Sequence, residues 1–393
     1  MLVDYSVGFG GATKSIGMVL RRMPEIEFRV LTCQDETQCR LWYSGLEVSH
    51  FRRRVNYVSL GRARRLLGRP LGTAGLKLVA LFDRAVSLVG FVRLVWRLRR
   101  DRIELIHLNN GATPEEVLWA ARWLQLPLVV FLRGIPDSPP EPVPLPRRHH
   151  LVAVSPSVLR AHASMGVDPS ATSVIWDPVD LAVFDASAHR RPVVRREIGV
   201  ADDELAVGIF GRLIRLKGHL EFARVALRLL AQGHRIRPVI VGGDGDFGDG
   251  YVAEVRALVD ASPYADRFVF VGYQPEPAAY FHAMDVVVHF SVEPEGLGMV
   301  IPEAMAAGKP VVAARSGGPA DVIKDEVDGL LVPYRDEVAL FDALSRVLTD
   351  VELRSHLSMQ ARRKAQGEFG IDTASSATLS VYRRLFAQEG SAS

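Results

Sequence analysis

The stretch "EPEGLGMVIPEAMAAGKPVV" (residues 293–312) places two acidic side chains, Glu295 and Glu303, eight positions apart. Glycines lie between the two acids, and a run of small and apolar residues typical of a helix follows them. A core helix needs no exposed acid at its start, and a surface helix is rarely so apolar. The spacing therefore indicates a ligand site where a loop meets a helix, and Pro302 is tolerated in the first turn of such a helix.

Short apolar runs alternate with helical patterns on both sides of this stretch. Apolar strands separated by helices are typical of buried parallel sheets that carry helices on both faces. The sequence therefore predicts an α/β fold with two Rossmann-like, doubly wound domains that face a central cleft. The predicted strands are 2–7, 103–108, 127–132, 151–154, 205–210, 237–243, 268–272, 285–290, 310–314 and 329–333. The predicted helices are 217–232, 250–261, 336–349 and 372–388.

The chain length of 393 residues exceeds that of one ordinary domain and favours two domains. Residues 176–193 interrupt the alternation with Pro, Asp and polar side chains, which is typical of a hinge between domains. We therefore expect one domain at 1–180 and a second at 181–371. The closing helix, within 372–393, is expected to pack back on the first domain.

Composition indicates a globular protein of a reducing compartment. Apolar residues make up 48% and charged residues 24% of the chain. The two cysteines, Cys33 and Cys39, are too few for a disulfide framework or a metal cluster, so a cytoplasmic location is expected. Neither a signal peptide nor a run of about 20 apolar residues is visible, so no spanning helix is predicted.

Positive charge is concentrated at 52–102, which contains 14 Lys or Arg and two Asp, a net charge of +12 in a chain of net charge +3. Leu, Val, Phe and Trp alternate with these arginines. One interpretation is an amphipathic core helix with a solvated basic rim. The other interpretation is peripheral binding of this segment to the anionic inner face of a membrane. Nucleic acid is a weaker interpretation, because no known binding module is present.

The stretch "GFGGATKSIG" (8–17) follows the first predicted strand. It is neither a dinucleotide fingerprint, which would need glycine in place of Thr13, nor a Walker loop. A tight glycine turn at a helix N-terminus remains, and such a turn favours an anion. A plain structural turn is the alternative.

The stretch "VGGDGDFGDG" (241–250) matches G-x-G-x-x-G after a predicted strand. However, Asp244 and Asp246 lie inside the turn, where they would repel a pyrophosphate. The two aspartates could instead hold a divalent ion on a sugar nucleotide. We interpret the segment as a solvated loop between a strand and a helix, with no metal.

The stretch "GRLIRLKGHL" (211–220) places Arg212 and Lys217 around a turn that leads into a helix. Arginine binds phosphate oxygens through a planar fork, and lysine adds a compact charge. Together they could neutralise a diphosphate without a metal. The alternative is an ordinary connection with two solvated cations.

Carboxylates accept hydrogen bonds only, so Glu303 suits the cis-diol of a ribose and Glu295 suits sugar hydroxyls. Capping of a packed helix is the structural alternative. Hydrolysis by a general acid and base is a third interpretation, and it leaves the two cations unexplained.

Together these segments resemble the retaining glycosyltransferases of family 4, which have the GT-B fold. The likeness rests on "GFGG", "GRLIRLKG" and "EGLGMVIPEAMAAGKPVVAARSGGPADVI", in which the two acids form a Glu-x7-Glu motif. Further matches are "VAVSPSV" (152–158), "HAMDVVVHFS" (282–291) and "VDGLLVP" (327–333). The likeness covers nearly the whole chain and is densest at 205–335.

The resemblance implies transfer of a sugar from a nucleoside diphosphate to an acceptor hydroxyl, with retention at the anomeric carbon and without an essential metal or cofactor. The second domain would hold the donor and the first the acceptor. Catalytic roles are implied for Arg212, Lys217 and Glu295. The implied donor-binding residues are Gly10, Gly11, Arg212, Lys217, Glu295, Gly298, Met299, Val300 and Glu303.

The first half departs from the family pattern on the acceptor or sugar side. Arg133 stands where a histidine is frequent, and Asn109 replaces a second one. His107 is retained and is better interpreted as a satisfied histidine at a strand end than as a catalytic group. Tyr273 and Gln274 are candidates for the base pocket.

Two alternatives from other classes accompany this prediction. The chain could be a non-catalytic subunit that binds sugar nucleotides, or a sugar-nucleotide epimerase of the same fold. A phosphorylase fits less well, because the sequence shows no motif around a lysine that would bind the phosphorylase cofactor. For a transferase, the acceptor would be a glycan, a polysaccharide primer or a lipid-linked molecule, and the basic segment favours the last.

Overall fold

The computed structural model describes residues 1–4, 11–33, 36–50, 88–111, 115–140, 143–244 and 250–387. Gly10, Asp246 and most of the basic segment lie outside these ranges. Two parallel sheets form the framework, and each is covered by helices on both faces.

The first sheet has seven parallel strands in the order β3-β2-β1-β4-β5-β6-β7. Its central strands are buried and consist mostly of apolar residues, so they form nearly continuous hydrophobic runs in the sequence. The strands are β1 (Leu2–Asp4), β2 (Arg29–Thr32), β3 (Glu47–His50), β4 (Ile106–Leu108), β5 (Leu128–Leu132), β6 (His149–Ala153) and β7 (Thr172–Val174). The helices are α1 (Gly11–Leu20), α2 (Glu36–Trp42), α3 (88–100), α4 (Glu115–Trp123) and α5 (Pro156–Ala161).

The second sheet has six parallel strands in the order β10-β9-β8-β11-β12-β13. The strands are β8 (Leu205–Phe210), β9 (Ile236–Val241), β10 (Val269–Gly272), β11 (Val286–His289), β12 (Val311–Ala314) and β13 (Leu330–Val332). The helices of this part of the chain are α6 (Leu181–Ser187), α7 (Arg191–Glu197), α8 (His219–Ala231), α9 (Tyr251–Asp260), α10 (Ala278–Ala283), α11 (Val300–Ala306), α12 (Gly318–Val322), α13 (Glu337–Thr349) and α14 (Val351–Glu368). The last helix, α15 (Ile371–Ala387), packs on the first domain.

The predicted doubly wound architecture is confirmed by these two sheets. The predictions missed β2, β3 and β7, which are short strands. β3 and β7 form the sheet edges, where exposed polar side chains remove the apolar pattern that marks a central strand.

The chain crosses between the two sheets twice, at adjacent positions. The main-chain N–H of Val179 donates to the carbonyl of Phe369 at 2.7 Å, and Trp176 packs edge-on against the ring of Phe369. After the second crossing, α15 packs against α1. The predicted hinge at 176–193 is irregular only at its start, because α6, a 3-10 turn at Ala188–Arg190 and the start of α7 occupy the remainder. Arg191 pairs with Asp285, which immediately precedes β11.

No helix in the described ranges is long and apolar enough to cross a bilayer.

Candidate functional site

The carboxylate of Glu295 lies at the carboxyl edge of the second sheet, between three polar side chains. Lys217, in the turn before α8, places its Nζ 2.7 Å from Oε2 of Glu295. Ser291 donates its hydroxyl to the other oxygen, Oε1, and Nε2 of His289 lies 3.3 Å from that oxygen. Because β8 and β11 are neighbours in the sheet, residues far apart in sequence meet at one point.

This arrangement keeps Glu295 charged although its side chain is only 12% exposed. Burial alone would raise the pKa of Glu295, but the nearby Lys217 and His289 lower it well below the ordinary value for a glutamate. The carboxylate is therefore an anion with fixed orientation at neutral pH.

The glycines that follow Glu295 serve close packing. A Cβ atom at Gly296 would overlap the carbonyl oxygen of Arg133, which belongs to the first domain. Gly298 has a φ of +76°, and a Cβ there would lie 2.9 Å from Nε2 of His289. The motif loop is thus pressed against the first domain on one side and against β11 on the other.

Glu303 lies one turn into α11 and faces the first domain. Its Oε1 lies 3.4 Å from Nζ of Lys14, on α1, so this ion pair bridges the two domains. The side chain of Glu303 is 14% exposed and that of Lys14 is 34% exposed. The pair therefore lies where α1 of the first domain meets α11 of the second.

Other residues predicted for the donor site lie in the turn after β8, at the start of α1 and in the loop before α11. The side chain of Arg212 is exposed at the end of β8, next to the turn that carries Lys217. Gly11 begins α1 and faces Met299 across the cleft. A Cβ atom at position 11 would lie 3.4 Å from Cγ of Met299. Within the described ranges, the N–H groups of Gly298, Met299 and Val300 have no hydrogen-bond acceptor.

His107 lies in the core of the first domain. Its side chain is 2% exposed, stacks on Phe131 with 4.6 Å between ring centroids, and places Nδ1 2.5 Å from the hydroxyl of Tyr382. Burial, and then the charge of Arg133, lower the pKa of His107 well below its usual value, so the ring is neutral at pH 7. His107 is thus a neutral, packed side chain in the interior of the first domain.

The guanidinium of Arg133 is folded back into the protein and is 6% exposed. Its Nε donates to the carbonyl of Asn109 at 2.8 Å, one amino group donates to Oδ1 of Asn109 at 2.9 Å, and the other pairs with Asp177. Asp177 also accepts the hydroxyl of Ser15 at 2.6 Å. Arg133 and Asn109 thus join the ends of β4 and β5 to α1 and to the start of the domain crossing.

Three further predictions concern the edge of the second sheet. Tyr273 is 58% exposed after β10, and Nε2 of Gln274 lies 3.5 Å from the carbonyl of Val271. Asp244 lies at the surface, while its partner in the proposed aspartate pair is outside the described ranges. Among the described residues, no group of three or more His, Cys, Asp or Glu side chains could hold a metal ion.

Sequence reasoning missed four polar residues that shape this site: Lys14, Asp177, His289 and Ser291. Two of them left a recognisable signal, because His289 and Ser291 stand at the carboxyl end of a predicted strand, where ligand sites of parallel sheets lie. The contact of Lys14 with Glu303 spans 289 positions and depends on how the domains face each other.

Residues 191–364 match the family model described as glycosyl transferases group 1. The curated relatives include D-inositol 3-phosphate glycosyltransferase of Kribbella flavida, 33% identical over 56% of this chain and 52% of that protein. An uncharacterised glycosyltransferase of Methanocaldococcus jannaschii is 30% identical over 53% of each chain. The chain thus spans about half the length of the curated relatives it matches.

Solved structures resemble the chain over almost its full length. The Anabaena protein HepE, solved in complex with UDP, is 21% identical with a TM-score of 0.77, covering 98% of this chain and 99% of that one. A glycosyltransferase from Rickettsia africae is 16% identical with a TM-score of 0.79, covering 98% of each chain. The predicted GT-B fold is confirmed.

The buried pair of Lys217 and Glu295 predicts a pH-dependent contribution to stability. Replacing Lys217 with Met leaves a buried carboxylate without its cation, which typically costs about 3–5 kcal/mol. We expect Lys217→Met to lower the midpoint of thermal unfolding by at least about 6 °C at pH 7. Because the native pKa of Glu295 is depressed, the pair stabilises above the unfolded pKa of about 4.3 and this stabilisation fades as pH falls below it.

Calorimetry at pH 7 and at about pH 3.5 measures this effect. The difference between the wild type and Lys217→Met should be smaller at the lower pH. Lys217→Met/Glu295→Gln should recover part of the loss, while Lys324→Met removes a surface charge elsewhere and serves as the control. A loss of equal size at both pH values would contradict the role of the pair.

Proposed function

We propose that the protein is a retaining glycosyltransferase that moves a sugar from a nucleoside diphosphate to an acceptor hydroxyl. One observation carries this proposal: the ion pairs Lys217–Glu295 and Lys14–Glu303 lie beside the loop at 298–300, whose main-chain N–H groups have no acceptor among the described residues. These groups match the parts of a nucleotide sugar, which combines hydroxyls with a diphosphate. The match of residues 191–364 to glycosyl transferases group 1 and the UDP and UDP-glucose complexes of HepE support it.

In the proposed donor complex, Glu303 accepts hydrogen bonds from the ribose hydroxyls and Glu295 accepts them from the sugar. Arg212, Lys217 and the N–H groups at 298–300 face the diphosphate, and Gly11, at the start of α1, contributes from the other domain. Tyr273 and Gln274 are assigned to the base pocket.

The chemistry requires stabilisation of a separating pair of charges. As the bond from the anomeric carbon to phosphate lengthens, positive charge develops on the sugar and negative charge on the diphosphate. Lys217 and Arg212 stabilise the second charge, and fixed donors of this kind contribute about 3–4 kcal/mol each. Front-face displacement then delivers the acceptor oxygen to the carbon, and the leaving phosphate accepts the acceptor's proton. This scheme requires no metal, because Lys217 and Arg212 supply the positive charge that a metal ion would otherwise provide.

We also propose that the acceptor is lipid-linked or lies in a glycan, polysaccharide or glycolipid assembled at the inner face of a membrane. On α3, Leu88, Val89, Val92 and Trp96 are exposed, and the ring of Trp96 lies under the guanidinium of Arg100 at 4.9 Å. Trp123 of α4 continues this surface and is 68% exposed. Exposed aromatic and aliphatic side chains beside arginines suit an anionic bilayer surface.

Nucleotide binding tests the donor site directly. UDP, GDP, ADP and TDP, with their common sugars, are screened by thermal shift without metal, for the wild type, Glu303→Gln and Glu293→Gln. Glu293 is an exposed acid of the same loop and serves as the control. A ligand at about 100 times its dissociation constant should add roughly 2.7 kcal/mol of stability. We expect one nucleotide to stabilise the wild type and Glu293→Gln but not Glu303→Gln; no stabilisation by any nucleotide would exclude the proposed function.

Turnover tests the catalytic assignment. With the nucleotide sugar that the binding screen selects, slow hydrolysis in the absence of acceptor is expected for the wild type. Lys217→Ala and Arg212→Ala should each lower this rate about 100-fold or more, while Arg256→Ala, at an exposed position of α9, should not. Near-normal rates in both site variants would refute the assignment, and a wild type that binds the donor without hydrolysis would favour a non-catalytic binding subunit.

Vesicle sedimentation tests the membrane surface. Arg93→Glu/Arg99→Glu reverses two exposed charges on α3, and Arg228→Glu/Arg256→Glu makes the same charge change on the second domain. Each basic residue near an anionic surface contributes about 1 kcal/mol, so the first variant should bind anionic vesicles at least about tenfold more weakly. Equal pelleting of the wild type with neutral and anionic lipid would remove the electrostatic basis of the proposal.

A further inference from the structure

Lys14 is presented to the cleft by a rigid helix. The residues on either side of it are anchored to the first domain: Thr13 donates to Oδ2 of Asp4 at 3.0 Å, and Ser15 donates to Oδ1 of Asp177 at 2.6 Å. Both anchors are buried. Lys14 lies on the opposite side of α1 and is the part of this turn that reaches the second domain.

Two helix faces oppose each other across the cleft at this point. Gly11 and Lys14 are three residues apart on α1, so they share a face, and the four-residue spacing of Met299 and Glu303 does the same for α11. Gly11 faces Met299, and Lys14 faces Glu303 with 3.4 Å between Nζ and Oε1. The acid assigned to the ribose therefore already has a cationic partner from the chain itself.

We propose that Lys14 makes the cleft select phosphorylated nucleotides over nucleosides, by competing with the ribose for Glu303. This inference rests on the proposed nucleotide-sugar site. A neutral nucleoside that binds Glu303 must displace the Lys14 ammonium and gives it no new anion. A nucleoside diphosphate displaces the same ammonium but brings negative charge into the cleft, where a four-carbon side chain can follow it. The exchange is therefore unfavourable for the nucleoside and compensated for the diphosphate.

The size of the effect follows from the exposure of the pair. Double-mutant cycles on partly exposed ion pairs typically give energies that correspond to about a two- to fivefold change in a binding constant. Removing the competitor should strengthen nucleoside binding by this factor. It should not strengthen diphosphate binding, because the lost cation no longer compensates the phosphates.

Isothermal titration of Lys14→Met with the nucleoside and the nucleoside diphosphate of the preferred base tests the inference, with uridine and UDP as the first pair. We expect nucleoside affinity to rise about two- to fivefold and diphosphate affinity to stay unchanged or fall. In the Glu303→Gln background, adding Lys14→Met should neither restore nor strengthen nucleoside binding, because no carboxylate remains to compete for. Lys324→Met controls for the loss of one positive charge outside the cleft.

The outcomes separate this inference from the proposed function. If the wild type binds no nucleotide, the proposed function fails. If the wild type binds the diphosphate but Lys14→Met binds the nucleoside no more tightly than the wild type does, Lys14 is not a selectivity residue, and the donor site stands. A gain of equal size for nucleoside and diphosphate would also overturn the inference, since it would show competition without discrimination.

Discussion

The ion pair between Glu295 and Lys217 is the interaction on which the candidate site depends. A carboxylate this deeply buried remains charged only because a cation and two further polar groups converge on it. The turn before α8, the end of β11 and the loop into α11 all contribute to that convergence. The parallel pairing of β8 with β11 brings these segments together, so the sheet register sets the positions of Lys217 and His289 relative to Glu295.

The two domains meet around the same loop. Ser155, at the start of α5, donates its hydroxyl to the carbonyl of Gly296 at 2.6 Å, and the main-chain N–H of Ser157 donates to Asp321 of α12 at 2.6 Å. The main chain of Arg133 also packs against Gly296, because a Cβ atom at position 296 would overlap the carbonyl oxygen of Arg133. A change in the angle between the domains is therefore transmitted directly to the residue that follows Glu295.

The sequence was informative wherever periodicity and local chemistry act over a few residues. Most of the buried strands and the helices α8, α9, α13 and α15 were predicted, and the glycine-broken spacing of Glu295 and Glu303 was recognised, because apolar runs, helical periodicity and motif spacing are local signals. The buried strand β2 and the 18-residue helix α14 were missed. Edge strands such as β3 were missed, since their exposed side chains carry no apolar pattern. The environment of Arg133 was not predicted. The sequence suggested that Arg133 lies on the acceptor side, whereas in the structure its guanidinium points inward and binds Asn109 and Asp177. Contacts between distant segments depend on the tertiary arrangement, which no short pattern encodes.

The double crossing of the chain has a consequence for how such proteins are built. Because Val179 and Phe369 are hydrogen-bonded neighbours, the segment between them leaves the first domain and returns to it at nearly one point. In topological terms the second domain is an insertion whose ends almost touch, and the family match at 191–364 lies wholly within it. A domain inserted in this way can be exchanged as a unit, because its two ends can be joined to another first domain without any change in the strand order of that domain.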